Sequence, residues 1–341
     1  MSEKILYILG AGASANVLPL AKNIFYDNGE IRKPGLVEEI KTFDVKSWFL
    51  DYNLDSDLSK LVQTIKNRLV SIAGNAEKFG DVDTYAKFLH IMNAGGDDFK
   101  KVKQGLSEYF GLKQILLNER DKRYLPWLVS IMEKKIFPEN LKILNWNYDF
   151  QVELAFSEFG FSEDVDHSGN GFSHSGLLLN YYPNLDPTFK DYHMLSLIHL
   201  NGIAGFIKQQ RDFYTASIFQ KKYMPSKNTA LTFFQEHNYD PQINFAWEKS
   251  EYHSRLMKHV ANMIQGTTIL VVIGYSFPFF NREIDKQIFE HLKLDQTLKK
   301  IYYQDPILTG KQLVSQFNLN ENEIEIVHIE QTNNFHIPFE Y

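Results

Sequence analysis

The chain of 341 residues contains no cysteine. Disulfides, thiolate zinc sites, iron–sulfur clusters and a cysteine nucleophile are therefore excluded, and any chemistry must come from oxygen and nitrogen side chains. An excess of positive charge is also missing: 36 Lys and Arg stand against 42 Asp and Glu, for a formal net charge of −6 and a pI near 6.0. Affinity driven by phosphates needs clustered basic residues, so no direct nucleic-acid binding is expected. Long hydrophobic runs are absent as well. The most apolar one, Thr268 to Ile273, is far shorter than the roughly 20 residues that cross a bilayer. Met1-Ser2-Glu3-Lys4 leads into a short apolar stretch followed by glycines, not into a leader with a small-residue cleavage site. The expectation is a soluble, cytoplasmic protein without a membrane segment.

What is present argues for a substantial core. Hydrophobic residues make up 44% of the chain, which rules out a mainly disordered protein. Aromatic residues reach 14%, which fits either dense packing or extensive partner surfaces. The length suits one large domain with insertions or two domains.

Lys4-Ile5-Leu6-Tyr7-Ile8-Leu9 runs directly into Gly10-Ala11-Gly12-Ala13-Ser14. This is the sequence form of a buried strand delivering its C-terminal end to a phosphate. Glycine would be required there so that a pyrophosphate can approach the backbone and so that the turn can take positive φ. A helix starting near Ser14 would offer its N–H groups and positive dipole end to the anion. A glycine turn without a ligand is the alternative.

No second apolar strand ending in an acid follows in residues 16–35, as a classical dehydrogenase unit would require. Residues 36–137 read as a helical insertion, with apolar positions at helical spacing around Asp57–Ile65, Thr84–Met92, Phe99–Phe110 and Leu125–Ile136. The strand pattern resumes at Leu141–Leu144, and residues 138–341 form the remainder of the sheet part. Short strands are also expected at Leu195–Ile198, Thr268–Ile273, Lys300–Pro306 and Ile324–Ile329, with helices over about Ser254–Gln265 and around Asp285. Residues 160–194, rich in Gly, Ser, Asn, Pro and His, and residues 204–250, aromatic and irregular, read as loop insertions.

Four strands thus end in polar or glycine motifs: Gly10–Ser14, Asn145–Asp149, His199–Gly202 and Gly274–Ser276. Ligands of open parallel α/β sheets bind outside the carboxyl ends of the strands, so the four should converge. Together they offer a phosphate cradle, an Asn/Asp pair, a histidine and a serine. His167, His174 and His193 match no metal-ligand spacing, and no metal is expected.

The ordered series G-A-G-A-S, N-W-N-Y-D, H-L-N-G and G-Y-S-F-P resembles the sirtuin-like (SIR2-like) NAD-binding fold, in particular the divergent bacterial domains of anti-phage defence systems. The resemblance implies an α/β, Rossmann-like parallel sheet of the sirtuin/DHS-like type carrying the helical insertion, one such domain over residues 1–341. By that similarity Gly10, Ala11, Gly12 and Ser14 would hold the NAD+ pyrophosphate. Asn147 would lie by the nicotinamide ribose and Asp149 by the carboxamide. His199 would be the catalytic histidine, and Gly274 and Ser276 would reach the adenosine half. Sirtuin deacylases carry a four-cysteine zinc ribbon and a G-I-P-D-F-R sequence after the first turn. This chain has neither, retaining only Leu18-Pro19-Leu20.

Those losses favour an NAD+ glycohydrolase (an NAD+ nucleosidase) that releases nicotinamide and ADP-ribose. The resemblance further implies a regulated effector of abortive-infection defence. It would act as a homo-oligomer or with a separate sensor or activator protein such as an ATPase or an Argonaute-like protein. An NAD-dependent protein deacylase and a non-catalytic NAD+ or ADP-ribose sensor are the alternatives. The residues alone also leave plainer roles open. His199 could be an ordinary core histidine, Asn147 or Asp149 an Asx cap, Ser276 a helix cap, and Asp285 a solvated helix residue.

Overall fold

The computed structural model describes residues 3–25, 31–44, 56–115, 119–132, 137–158, 178–180, 195–208, 239–248 and 251–341. The chain begins with strand β1 (Ile5–Leu9), all five of whose side chains are inaccessible to solvent. A run apolar at every position is what a strand covered on both faces requires. Where the sequence predicts a helix near Ser14 there is only a single 3-10 turn, Ala11–Ser14. Pro19 follows closely, and proline restrains its predecessor and removes an N–H, so a longer helix cannot develop. A small antiparallel hairpin comes next, β2 (Ile24–Phe25) with β3 (Ile31–Lys33), outside the main sheet.

Among the described residues five helices then precede the next strand: α1 (Leu36–Thr42), α2 (Ser56–Phe79), α3 (Val82–Met92), α4 (Asp97–Ile115) and α5 (Tyr124–Ile131). Asp81 caps α3 by accepting from the Thr84 N–H at 2.7 Å. The sheet continues with β4 (Leu141–Asn145), which leads through Trp146–Phe150 into α6 (Gln151–Glu158). After β5 (Leu178–Asn180) and β6 (Leu195–His199), strands β7 (Gly202–Lys208) and β8 (Tyr239–Ile243) form an antiparallel ribbon packed on α4. The start of the stretch read as irregular, from residue 204, is therefore strand, and most of 204–250 lies outside the described residues. Helix α7 (Glu251–Ile264) and β9 (Ile269–Ile273) follow, then α8 (Arg282–Leu294), β10 (Lys300–Gln304), α9 (Gln312–Phe317) and β11 (Glu325–Ile329).

Among the described residues seven strands make one sheet in the order β5-β6-β4-β1-β9-β10-β11, with every pairing parallel. Leaving aside the short edge strand β5, this is the doubly wound, Rossmann-like order in which the chain starts at the centre, builds one side, and returns to build the other. The reversal falls between β1 and β9. Side-chain alternation divides the core into two layers. Ile5, Tyr7 and Leu9 pack with α2, α4 and α5, where Tyr7 meets Trp127 edge-on at 5.0 Å. Leu6 and Ile8 pack with α7 and α8. Each such buried aliphatic side chain contributes about 2 kcal/mol to stability. Among the described residues no helix is long and apolar enough to cross a membrane.

Candidate active site

Strand register sets the site. Leu9 lies beside Asn145 on one side and Ile273 on the other, and Asn145 lies beside His199. The residues just beyond these positions therefore emerge at one level along the carboxyl edge of the sheet.

Gly10 and Gly12 meet the turn after β9 backbone to backbone. The Gly10 N–H donates to Ile273 O at 3.0 Å and the Gly12 N–H to Gly274 O at 2.9 Å. A Cβ on Gly10 would stand 2.6 Å from Gly274 O, and one on Gly12 2.6 Å from Gly274 Cα. The expectation of positive φ at these two glycines thus needs correction. Positive φ occurs at Gly274 (φ 57), and what fills the space beside Gly10 and Gly12 is the turn after β9, at Gly274 and Tyr275. Phe277 also has φ 54, a strained conformation for so bulky a residue. It places Tyr275 and Phe277 in the core and leaves Ser276 exposed. Ser276 does not cap the helix that follows, for α8 starts after Asn281. Ala11, Gly12 and Gly274 remain partly accessible, and the Ala13 and Ala15 N–H groups are spent on Gly10 O and Gly12 O.

Asn147 holds this turn from the β4 side. Its Nδ2 donates to Gly10 O at 2.9 Å, while its own N–H donates to Asn145 Oδ1 at 3.0 Å. The Asn147 Oδ1 has no hydrogen-bond partner among the described residues. Asp149 is 3% exposed and accepts from the Gln151 N–H at 3.1 Å, so it does cap the start of α6. Burial raises its pKa from 3.8 to about 6, with the nearby Glu153 adding to the rise, while bonds from Ser14 and Gln151 and the His199 charge oppose it. Ser14 points inward rather than to the open edge. It is 1% exposed, and its hydroxyl lies 2.9 Å from the Tyr124 hydroxyl and bonds Asp149.

His199 is 1% exposed. Its Nε2 is 2.5 Å from Glu153 Oε1 and its Nδ1 3.4 Å from the Asn147 carbonyl. Burial alone would lower its pKa, but the Glu153 carboxylate, the Asn147 carbonyl and Asp149 outweigh that and hold it above the ordinary 6.5.

Several residues that hold this arrangement escaped the sequence reading. Arg123 Nη2 donates to Gly12 O at 3.2 Å and Ala13 O at 2.8 Å, and the same guanidinium forms a buried pair with Asp121. Gln114 of α4 accepts from the Phe150 N–H at 3.0 Å and from the Gln151 side chain at 3.1 Å. The helices between β1 and β4 thus grip both motif turns, and nothing in residues 114–124 announces it. Glu153 left a fainter sign: an acid within the apolar run Val152, Leu154, Ala155, Phe156, one helical turn after Asp149. Asp285, read as solvated, is 1% exposed and accepts from the Tyr275 hydroxyl at 2.8 Å, because α8 turns that face onto the sheet. His167, His174 and His193 lie outside the described residues. Among the described residues no cluster of three or more His, Asp or Glu could hold a metal.

No protein-family model matches the chain, and no curated protein matches it at a significant level. Chemically, the site combines an amide carbonyl free to accept from water, a histidine able to hold or release a proton, and two buried carboxylates.

Proposed function

We propose that the chain is an NAD+ glycohydrolase, cleaving NAD+ to nicotinamide and ADP-ribose on a sirtuin-like form of the Rossmann-like fold. The observation that carries the proposal is the hydrogen bond from Asn147 Nδ2 to Gly10 O at 2.9 Å, with His199 Nδ1 3.4 Å from Asn147 O. Three strand-end motifs meet there beside the β1/β9 reversal, where open α/β sheets take up their ligands.

NAD+ would lie over the accessible surface of Ala11, Gly12 and Gly274, with Ser276 toward the adenosine half. As the N-glycosidic bond breaks, positive charge grows on the ribose and nicotinamide leaves as a neutral base that needs no acid. Asp149 and Glu153 lower the cost of that charge in a site of low dielectric. Asn147 Oδ1 positions the attacking water. Hydrolysis adds the water oxygen to the ribose and releases one proton, which His199 accepts.

A second reading, a module that binds NAD+ or ADP-ribose without cleaving it, is favoured by one observation: both His199 nitrogens face protein acceptors and the ring is 1% exposed. The same observation fits an enzyme held inactive until assembly or a separate activator acts, as an abortive-infection effector in the cytoplasm would need. The test is chromatography of nicotinamide and ADP-ribose after incubation with NAD+, alone and with candidate ATPase or Argonaute-like partners. Saturable NAD+ binding without nicotinamide release under every condition would replace the enzyme by the sensor.

A further inference from the structure

We propose that Glu153 is a positioning residue for His199: it holds the imidazole through Nε2 and leaves Nδ1, which makes only the long contact to the Asn147 carbonyl among the described residues, as the nitrogen that takes up the proton. The proposal deepens the glycohydrolase assignment and rests on it for its kinetic part only.

Glu153 is the third residue of α6 and is 2% exposed. Its neighbours Val152, Leu154, Ala155 and Phe156 are buried and apolar. A carboxylate is costly in such surroundings unless a partner compensates it. Among the described residues it has one hydrogen bond, Oε1 to His199 Nε2 at 2.5 Å, and Oε2 has none. The acid at this position is thus explained by a single contact.

The two sides of the imidazole are held unequally. The Nε2 contact is short, as charge-assisted bonds are. The Nδ1 contact, at 3.4 Å to a carbonyl, is beyond the usual range of about 2.7–3.2 Å. A carboxylate that keeps the proton on Nε2 leaves the lone pair of the neutral ring on Nδ1, and it stabilises the imidazolium once Nδ1 takes a proton. Among the described residues the charged groups facing the ring are Glu153 from α6 and Asp149 from the turn before it, together with the Asn147 carbonyl. Removal of the Glu153 charge would leave burial as the dominant influence, which disfavours the charged imidazole.

The test uses the full chain with labelled histidine, followed by NMR, with His199→Ala assigning the resonance. In the wild type the neutral ring should carry its proton on Nε2. Glu153→Gln, folded by circular dichroism, should titrate at least tenfold less readily to the charged form and should lose that single tautomer. Glu153→Asp should restore part of both and serves as the readable variant if the amide fails to fold. In nicotinamide release, Glu153→Gln should lower kcat at least tenfold, keep KM for NAD+ within twofold, and move the acid limb of the profile to lower pH. An unchanged His199 titration and tautomer in a folded variant overturns the proposal whatever the activity. A wild type that binds NAD+ but releases no nicotinamide under every condition, candidate partners included, sinks the glycohydrolase assignment instead, and the NMR result still decides the role of Glu153.

Discussion

Gly12 and Gly274 touch through their main chains: the Gly12 N–H donates to Gly274 O at 2.9 Å, and a methyl group on Gly12 would fall 2.6 Å from Gly274 Cα. The turn after β1 and the turn after β9 are thereby locked together at the point where the sheet reverses.

Gly12→Ala should cost about 1–3 kcal/mol from overpacking against a backbone that cannot yield. Gly274→Ala should cost at least as much, because the new Cβ meets Gly12 and also strains a residue at φ 57. Denaturant midpoints measure both. A loss below about 0.5 kcal/mol for Gly12→Ala would mean that the two turns are not packed as described.

Arg123 should be worth more than an ordinary buried side chain. Arg123→Met removes the charge that pairs with buried Asp121 and the donor to the Ala13 carbonyl, and breaking such a pair costs about 3–5 kcal/mol. Adding Asp121→Asn should recover part of that loss in a double-mutant cycle. Strict additivity of the two changes would show that they do not act as a pair.

Stability should fall as pH rises. Asp149 is raised to about 6 and Asp285 well above its ordinary 3.8, each first by burial, and His199 is held above 6.5. In each case the folded state binds the proton more tightly than the unfolded chain, so stability present in mild acid is lost as pH climbs through the folded value. For Asp149 the window is from about pH 4 to about pH 6, worth on the order of 3 kcal/mol. The unfolding midpoint should therefore be higher at pH 5 than at pH 8, and Asp285→Asn, which still accepts from the Tyr275 hydroxyl, should flatten the upper part of the slope. A midpoint that rises toward pH 8 contradicts this.

Asn147 and His199 should separate in their effects. Asn147→Ala removes a buried bond to Gly10 O and should cost about 1–3 kcal/mol of stability as well as nicotinamide release. His199→Ala should abolish release, by roughly 100-fold or more, while NAD+ binding persists. Full activity in a folded His199→Ala would remove that residue from the mechanism.

Much of the frame was legible in the residues. Ile5–Leu9 and Ile269–Ile273 are strands because the centre of a parallel sheet is covered on both faces, and that demand writes itself as an unbroken apolar run. The polar ends of β4 and β6 could be located for the same reason, since the run stops where the sheet does. Boundaries were less legible where local signals were weak: α2 continues to Phe79, well past the segment whose spacing marks it, and β7 occupies a stretch with no alternation.

What the amino-acid order determined by itself is six strands of the main sheet (β1, β4, β6, β9, β10 and β11), the glycine and polar endings of β1, β4, β6 and β9, and the chemistry closed off by the lack of cysteine. These follow from local rules of burial and backbone freedom, which act within a few residues. Only the tertiary structure decided why Gly10 and Gly12 must be glycine, why Asp285 is buried, and that Glu153 contacts His199 and Arg123 the turn after β1. Each of those facts is a meeting across the fold, Gly12 with Gly274, Glu153 with His199, Arg123 with Ala13, and a side chain's own chemistry does not specify which distant partner the parallel register will bring to it.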